Sequence, residues 1–86
     1  MARRSLAEKL EEALRGYPSV TRVVKVGRRP AKGKRKVKIE SNADHVLFSV
    51  IEPDFPRTDL RADTTNVKSV VFNAIRHLQR EGVRVE

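Results

Sequence analysis

Residues 22–38 read RVVKVGRRPAKGKRKVK, and the way this stretch pairs decides the fold. It begins on β-branched residues, breaks at a cluster running from Gly27 through Pro30 to Gly33, and resumes as KRKVKIE over residues 34–40. Two valine-bearing runs around a Gly/Pro loop read as the strands of a hairpin. The first, residues 20–26 (VTRVVKV), alternates imperfectly, with Val20, Val24 and Val26 sharing a face with Arg22. The second alternates cleanly. Val37 and Ile39 point one way, and Lys34, Lys36, Lys38 and Glu40 point the other.

The same stretch concentrates the charge. The chain has 19 basic and 11 acidic residues, a net of +8. Nine of the basic residues (Arg22, Lys25, Arg28, Arg29, Lys32, Lys34, Arg35, Lys36 and Lys38) and no acidic one fall within these 17 positions. The remainder is close to neutral. Crowded like charges repel one another unless a polyanion neutralises them.

Working outward, residues 5–15 form a short helix on this reading. Ser5-Leu6-Ala7-Glu8 fits a capping box, and Leu6, Leu10, Ala13 and Leu14 share a face. Gly16 is read as a left-handed C-cap and Pro18 as a stop. After the basic stretch, residues 41–44 (SNAD) make a turn. Residues 45–51 (HVLFSVI) are the most apolar strand and are placed centrally. Residues 52–62 (EPDFPRTDLRA), with two prolines, read as an irregular loop. Asp63, Thr64 or Thr65 is expected to cap a second helix. Its stripe is Val67, Val70, Val71, Ala74, Ile75 and Leu78. Phe72 falls off that stripe and is expected to pack under the 53–62 loop or the C-terminal segment, a dimer contact being the alternative. Gly82 ends the helix, and residues 83–85 read as a short edge strand or a tail.

Length and composition bound the rest. Eighty-six residues make one domain with a modest core, residues 1–4 being read as frayed. There is no cysteine, so neither disulfides nor thiolate metal sites hold it together. No apolar run approaches the ~18 residues of a membrane span, and no secretory h-region is visible. The expected setting is cytoplasmic, associated with the nucleoid or a ribonucleoprotein.

The residues that carry chemistry are few. His45 and His77 are the only histidines; His45 is the one a small ribonuclease would use as general acid–base. No spaced His/Cys cluster suggests zinc. Asp54, Asp59 and Asp63 do not follow a calcium-loop spacing. No phosphate-binding glycine loop is present. None of the four aromatics, Tyr17, Phe48, Phe55 and Phe72, lies in the basic stretch. Single-strand binding uses aromatics among cations, so duplex or backbone contact is favoured.

The helix, three strands, helix order resembles that of the double-stranded RNA-binding domain and of the HicA-type mRNA-interferase toxins. The lysine-rich start of the first family's second helix is not met by Asn66-Val67-Lys68-Ser69-Val70. The glycine preceding the second family's sheet histidine is not met at His45-Val46-Leu47-Phe48. No residue role carries over from either.

The sequence therefore predicts an α+β domain: a three-stranded antiparallel sheet with two helices on one face, in α-β-β-β-α order. The function it predicts is non-catalytic nucleic-acid binding, without metal or cofactor. The phosphate contacts are Arg22, Lys25, Arg28, Arg29, Lys32, Lys34, Arg35, Lys36 and Lys38 on a basic hairpin. Lysines at every second strand position stand roughly 6.5–7 Å apart on one face, near the spacing of phosphates along a strand. The alternatives are a protein-interaction module, homodimeric or docking an acidic surface, and a ribonuclease toxin using His45.

Overall fold

A computed structural model describes residues 4–29, 34–53 and 55–86 of the chain, residues 26–29 by their backbone alone. The elements are α1 (Leu6–Arg15), β1 (Val20–Arg29), β2 (Lys36–Ser41), β3 (His45–Glu52), β4 (Phe55–Thr64), α2 (Val67–Arg80) and β5 (Arg84–Val85). The five strands form one mixed sheet in the order β1-β4-β3-β2-β5. Only the β2–β5 pair is parallel.

Three expectations are corrected here. The sheet has five strands rather than three and is not wholly antiparallel. Residues 52–62 are not an irregular loop, since β4 (Phe55–Thr64) takes up most of them. The basic stretch is not a hairpin either. β1 pairs with β4, from Val20 opposite Thr64 to Arg29 opposite Arg57, and β2 pairs with β3. Two strands therefore separate β1 from β2, a gap of roughly 14 Å at normal strand spacing. The six residues between Arg29 and Lys36 have an extended reach of about 20 Å, enough to cross it. Gly27, assigned to the loop, lies in β1 opposite Asp59, and residues 30–33 lie outside the described residues.

Two helices side by side, about 8–10 Å apart, span roughly the width of four strands at 4.8 Å each, so the wider sheet gives both of them a floor.

Alternation explains why β4 is a strand. Thr58, Leu60, Ala62 and Thr64 are buried, and Arg57, Asp59, Arg61 and Asp63 occupy the opposite face. The buried set is small or hydroxylated, so its apolar signal is faint, and the prolines obscured it further. Pro56 is tolerated because it sits at a ladder irregularity, between the pairs Glu52–Phe55 and Val50–Thr58, where no amide is required.

Both helices cover one face. Leu6, Leu10 and Leu14 of α1 and Val70, Ala74 and Leu78 of α2 close over Val23, Val37, Val46, Phe48, Val50, Leu60 and Ala62 of the sheet. The Ser5 hydroxyl accepts from the Glu8 amide at 3.2 Å, which is one half of the expected capping box. Glu52, buried at the end of β3, also serves α1, its Oε2 accepting from the Leu6 amide at 2.6 Å.

Gly16 is right-handed, with φ −84°, so it is not a left-handed cap. That geometry occurs instead at Gly82, φ 71°. The Gly82 amide donates to Gln79 O and the Val83 amide to Leu78 O, each at 3.0 Å, which is a Schellman closure. It turns the chain into β5. The cap of α2 is Asn66, whose side chain accepts from the Ser69 amide at 3.3 Å, in place of Asp63, Thr64 or Thr65. Thr64 stands two residues back, its hydroxyl accepting from the Asn66 amide.

Tyr17 packs half-buried against the core beyond α1. Burial pushes its phenol pKa above the ordinary tyrosine value, and the positive charge of Arg80 partly opposes the shift. The folded state thus favours the neutral phenol. Its contribution to stability is intact below the unfolded pKa near 10 and is lost as pH rises through the folded pKa. Tyr17 is the only tyrosine and there is no tryptophan, so tyrosinate absorbance reports this group alone. The expected titration midpoint lies above that of a free tyrosine and moves higher still in Arg80→Ala. A midpoint that falls in the variant contradicts this account.

Candidate nucleic-acid interface

Among the described residues, no helix or loop covers the face of the sheet opposite the helices. Strand parity brings Arg22 and Val24 of β1, Arg57, Asp59, Arg61 and Asp63 of β4, His45, Leu47, Ser49 and Ile51 of β3, Lys36, Lys38 and Glu40 of β2, and Arg84 of β5 to this side. The register sets their neighbours. Lys38 is opposite Ser49, which is opposite Asp59, and Lys36 is opposite Arg84.

Along β4, arginines and aspartates alternate and bind each other. Arg57 Nε donates to Asp59 Oδ1 at 3.3 Å and its Nη2 to Ser49 Oγ at 3.2 Å. Arg61 Nε donates to Asp63 Oδ1 at 2.8 Å. A shallow basin of about 230 Å³ lies at the centre of the face, its lining including Lys38, Glu40, Leu47, Ser49, Arg57 and Asp59.

Of the nine basic residues singled out in the sequence, the six whose side chains are described do not converge. Lys25 shares the parity of buried Val23 on the helix side and pairs with Glu11 at 3.4 Å. Arg35 reaches the end of α2, where its Nη1 donates to Glu81 O at 3.3 Å. Lys36 lies 3.6 Å from Glu86. Arg22, Lys34 and Lys38 are exposed and have no carboxylate partner among the described residues. Arg28 and Arg29 are placed by backbone only, opposite Thr58 and Arg57. Lys32 lies outside the described residues. Lys34 precedes β2, so the row Lys34-Lys36-Lys38 does not form a continuous strand face, and the match of that row to a run of phosphates does not hold.

Arg84 was missed by sequence reasoning. It is exposed on the open face at the β5 edge, and like Arg22, Lys34 and Lys38 it has no carboxylate partner among the described residues. Its signal was the alternation Val83-Arg84-Val85, in which the flanking valines turn inward.

His45 starts β3, its Nδ1 2.7 Å from Asp44 Oδ1. Hydrogen bonding to the imidazole holds the Asp44 carboxyl below its ordinary pKa. His77 lies on the other side of the domain, where an open groove is lined by Arg4, Lys9, Glu12, Ala13, His77 and Glu81. Arg4, expected to fray, pairs with Glu12. Among the described residues no three His, Asp or Glu side chains are grouped to hold a metal ion, and no helix is long and apolar enough to cross a membrane. Asp59 and Asp63 each bind an arginine, and Asp54 lies outside the described residues.

The aromatics keep away from the open face. Phe48 is in the core and Tyr17 packs against it. Phe55 lines a cleft with Ser5, Ala7 and Lys25. Phe72 stands on the outside of α2, 61% exposed, so it packs under neither the 53–62 segment nor the C-terminal residues. No family model, curated protein or solved structure matches the chain.

Proposed function

We propose that this domain is a non-catalytic nucleic-acid binder that engages the phosphate backbone through the open face of its sheet and the basic connection between β1 and β2. The observation that carries the reading is the distribution of unpaired cations. Beside the helices Lys9, Arg15, Lys25 and Arg35 are taken up by Glu11 and Glu81, while Lys68, Arg76 and Arg80 on the outside of α2 are exposed and lie away from this face. On or beside the open face Arg22, Lys34, Lys38 and Arg84 keep their charge for a ligand. The net charge of +8 favours a polyanion at long range. A face without aromatic side chains lacks stacking platforms, which supports contact with a duplex or structured backbone rather than with splayed bases.

The test is a binding titration on duplex DNA and duplex RNA across a salt series. Four phosphates neutralised by Arg22, Lys34, Lys38 and Arg84 give a slope of log K on log salt of about −3.5 on DNA. Participation of Arg28, Arg29 and Lys32 takes it to about −6. Lys38→Ala is expected to reduce the slope by about one and to weaken all sequences alike. Binding indifferent to salt between low and physiological strength refutes the proposal.

A further inference from the structure

Helix α2 buries Val70, Ala74 and Leu78, and its outer side carries a different signal from the sheet. Its fourteen residues, VKSVVFNAIRHLQR, include no carboxylate. Lys68, Phe72, Arg76 and Arg80 succeed one another four residues apart. At 3.6 residues per turn they form a stripe that drifts about 40° per step around the helix. All four are exposed. Phe72 is the only large apolar side chain among the described residues that stands largely in water. The guanidinium carbon of Arg76 lies 5.7 Å from the centroid of its ring, within cation–π range.

We propose that this stripe is a docking surface for an acidic protein segment bearing an apolar side chain that covers Phe72. The inference is independent of the nucleic-acid reading. An aromatic anchor flanked by arginine is the composition of energetically dominant interface positions. Three cations with no acid among them select an acidic partner and repel a basic one. A second copy meeting this one stripe to stripe brings six positive charges together, which opposes homodimerisation through α2. A duplex backbone satisfies the cations but leaves the Phe72 ring in water, whereas a protein partner removes both costs. The stripe and the open face lie on opposite sides of the sheet, so the two surfaces do not compete.

Amide NMR of the folded protein tests this with three probes: a Glu-rich peptide with leucines at helical spacing, a Glu-rich peptide without them, and duplex DNA. The leucine-bearing peptide is expected to shift resonances of residues 67–80 and to bind more tightly than the leucine-free one. Phe72→Ala and Arg76→Ala are each expected to weaken it about tenfold, while Lys38→Ala leaves it unchanged. Phe72 lies outside the core, so Phe72→Ala folds normally, checked by circular dichroism. The proposal is overturned by no shifts in α2 at about 1 mM peptide, or by equal affinity with and without leucine. It is also overturned if Phe72→Ala weakens DNA rather than peptide, which makes α2 a nucleic-acid surface.

Discussion

Phe48→Ala is expected to remove between a quarter and all of the domain's stability at room temperature. Phe48 is fully buried on β3, the central strand of the sheet, between Val46 and Val50 on its own strand. It is opposite Ile39 of β2 and Leu60 of β4 in the register, and both helices close above the layer. Removing a buried phenyl ring loses its transfer free energy and leaves a cavity that rigid neighbours only partly fill. The cost is about 3–5 kcal/mol. A domain of 86 residues holds about 4–13 kcal/mol in all, so the variant loses between a quarter and all of its stability. Urea denaturation followed by far-UV circular dichroism measures this directly. Phe48→Leu, which keeps most of the volume, is expected to cost well under half as much. A midpoint for Phe48→Ala within error of the parent contradicts the packing described for β3.

The second large effect is at Glu52. Its side chain is buried at 3% exposure and accepts the Leu6 amide at the first position of α1. The first four amides of a helix lack partners within it. Here the Ser5 hydroxyl takes one and Glu52 takes another, and the carboxylate charge also opposes the positive end of the helix dipole. Glu52→Ala removes a charge-assisted hydrogen bond and leaves a poorly solvated amide, a loss of about 2–3 kcal/mol. Glu52→Gln keeps an acceptor without the charge and is expected to lose about half of that. Hydrogen exchange separates this from general destabilisation, because the Leu6 and Ala7 amides exchange faster than the rest of α1 in Glu52→Ala. Uniform acceleration through the domain contradicts a capping role. Ser5→Ala acts on the same helix end, and the double variant is expected to be non-additive.

Local patterns were readable before the fold was. The apolar face of α1, the stripe of α2, the central strand and the lysine alternation at Lys36 and Lys38 all come from side-chain periodicity, which the chain carries within ten residues. Strand partners are not local. Nothing in residues 20–29 names residues 55–64 as their partner, and the Gly/Pro cluster after them imitates a hairpin turn. β4 was hidden because Thr58, Ala62 and Thr64 bury little apolar area and because prolines at 53 and 56 outweighed its parity. Glu52 did leave a signal. It shares the parity of Val46, Phe48 and Val50, so a carboxylate there must face the core and needs buried donors, which a helix start supplies. Asn66 also left one, an amide side chain immediately before the first residue of the stripe. The candidate site was half legible. Charge density singled out residues 22–38, but which of those cations remain unpaired depends on where Glu11, Glu81 and Glu86 arrive, and that is set by the tertiary fold.

The order β1-β4-β3-β2-β5 has a consequence for the chain as it is made. Synthesis runs from the N-terminus at about 5–20 residues per second, so β1 is complete before any residue of its ladder partner β4 exists. Its valines and both backbone edges wait in water until β2, β3 and β4 have followed. An apolar strand held open in this way is prone to pair with another chain. The nine positive charges within and just after it make neighbouring nascent copies repel one another during that interval.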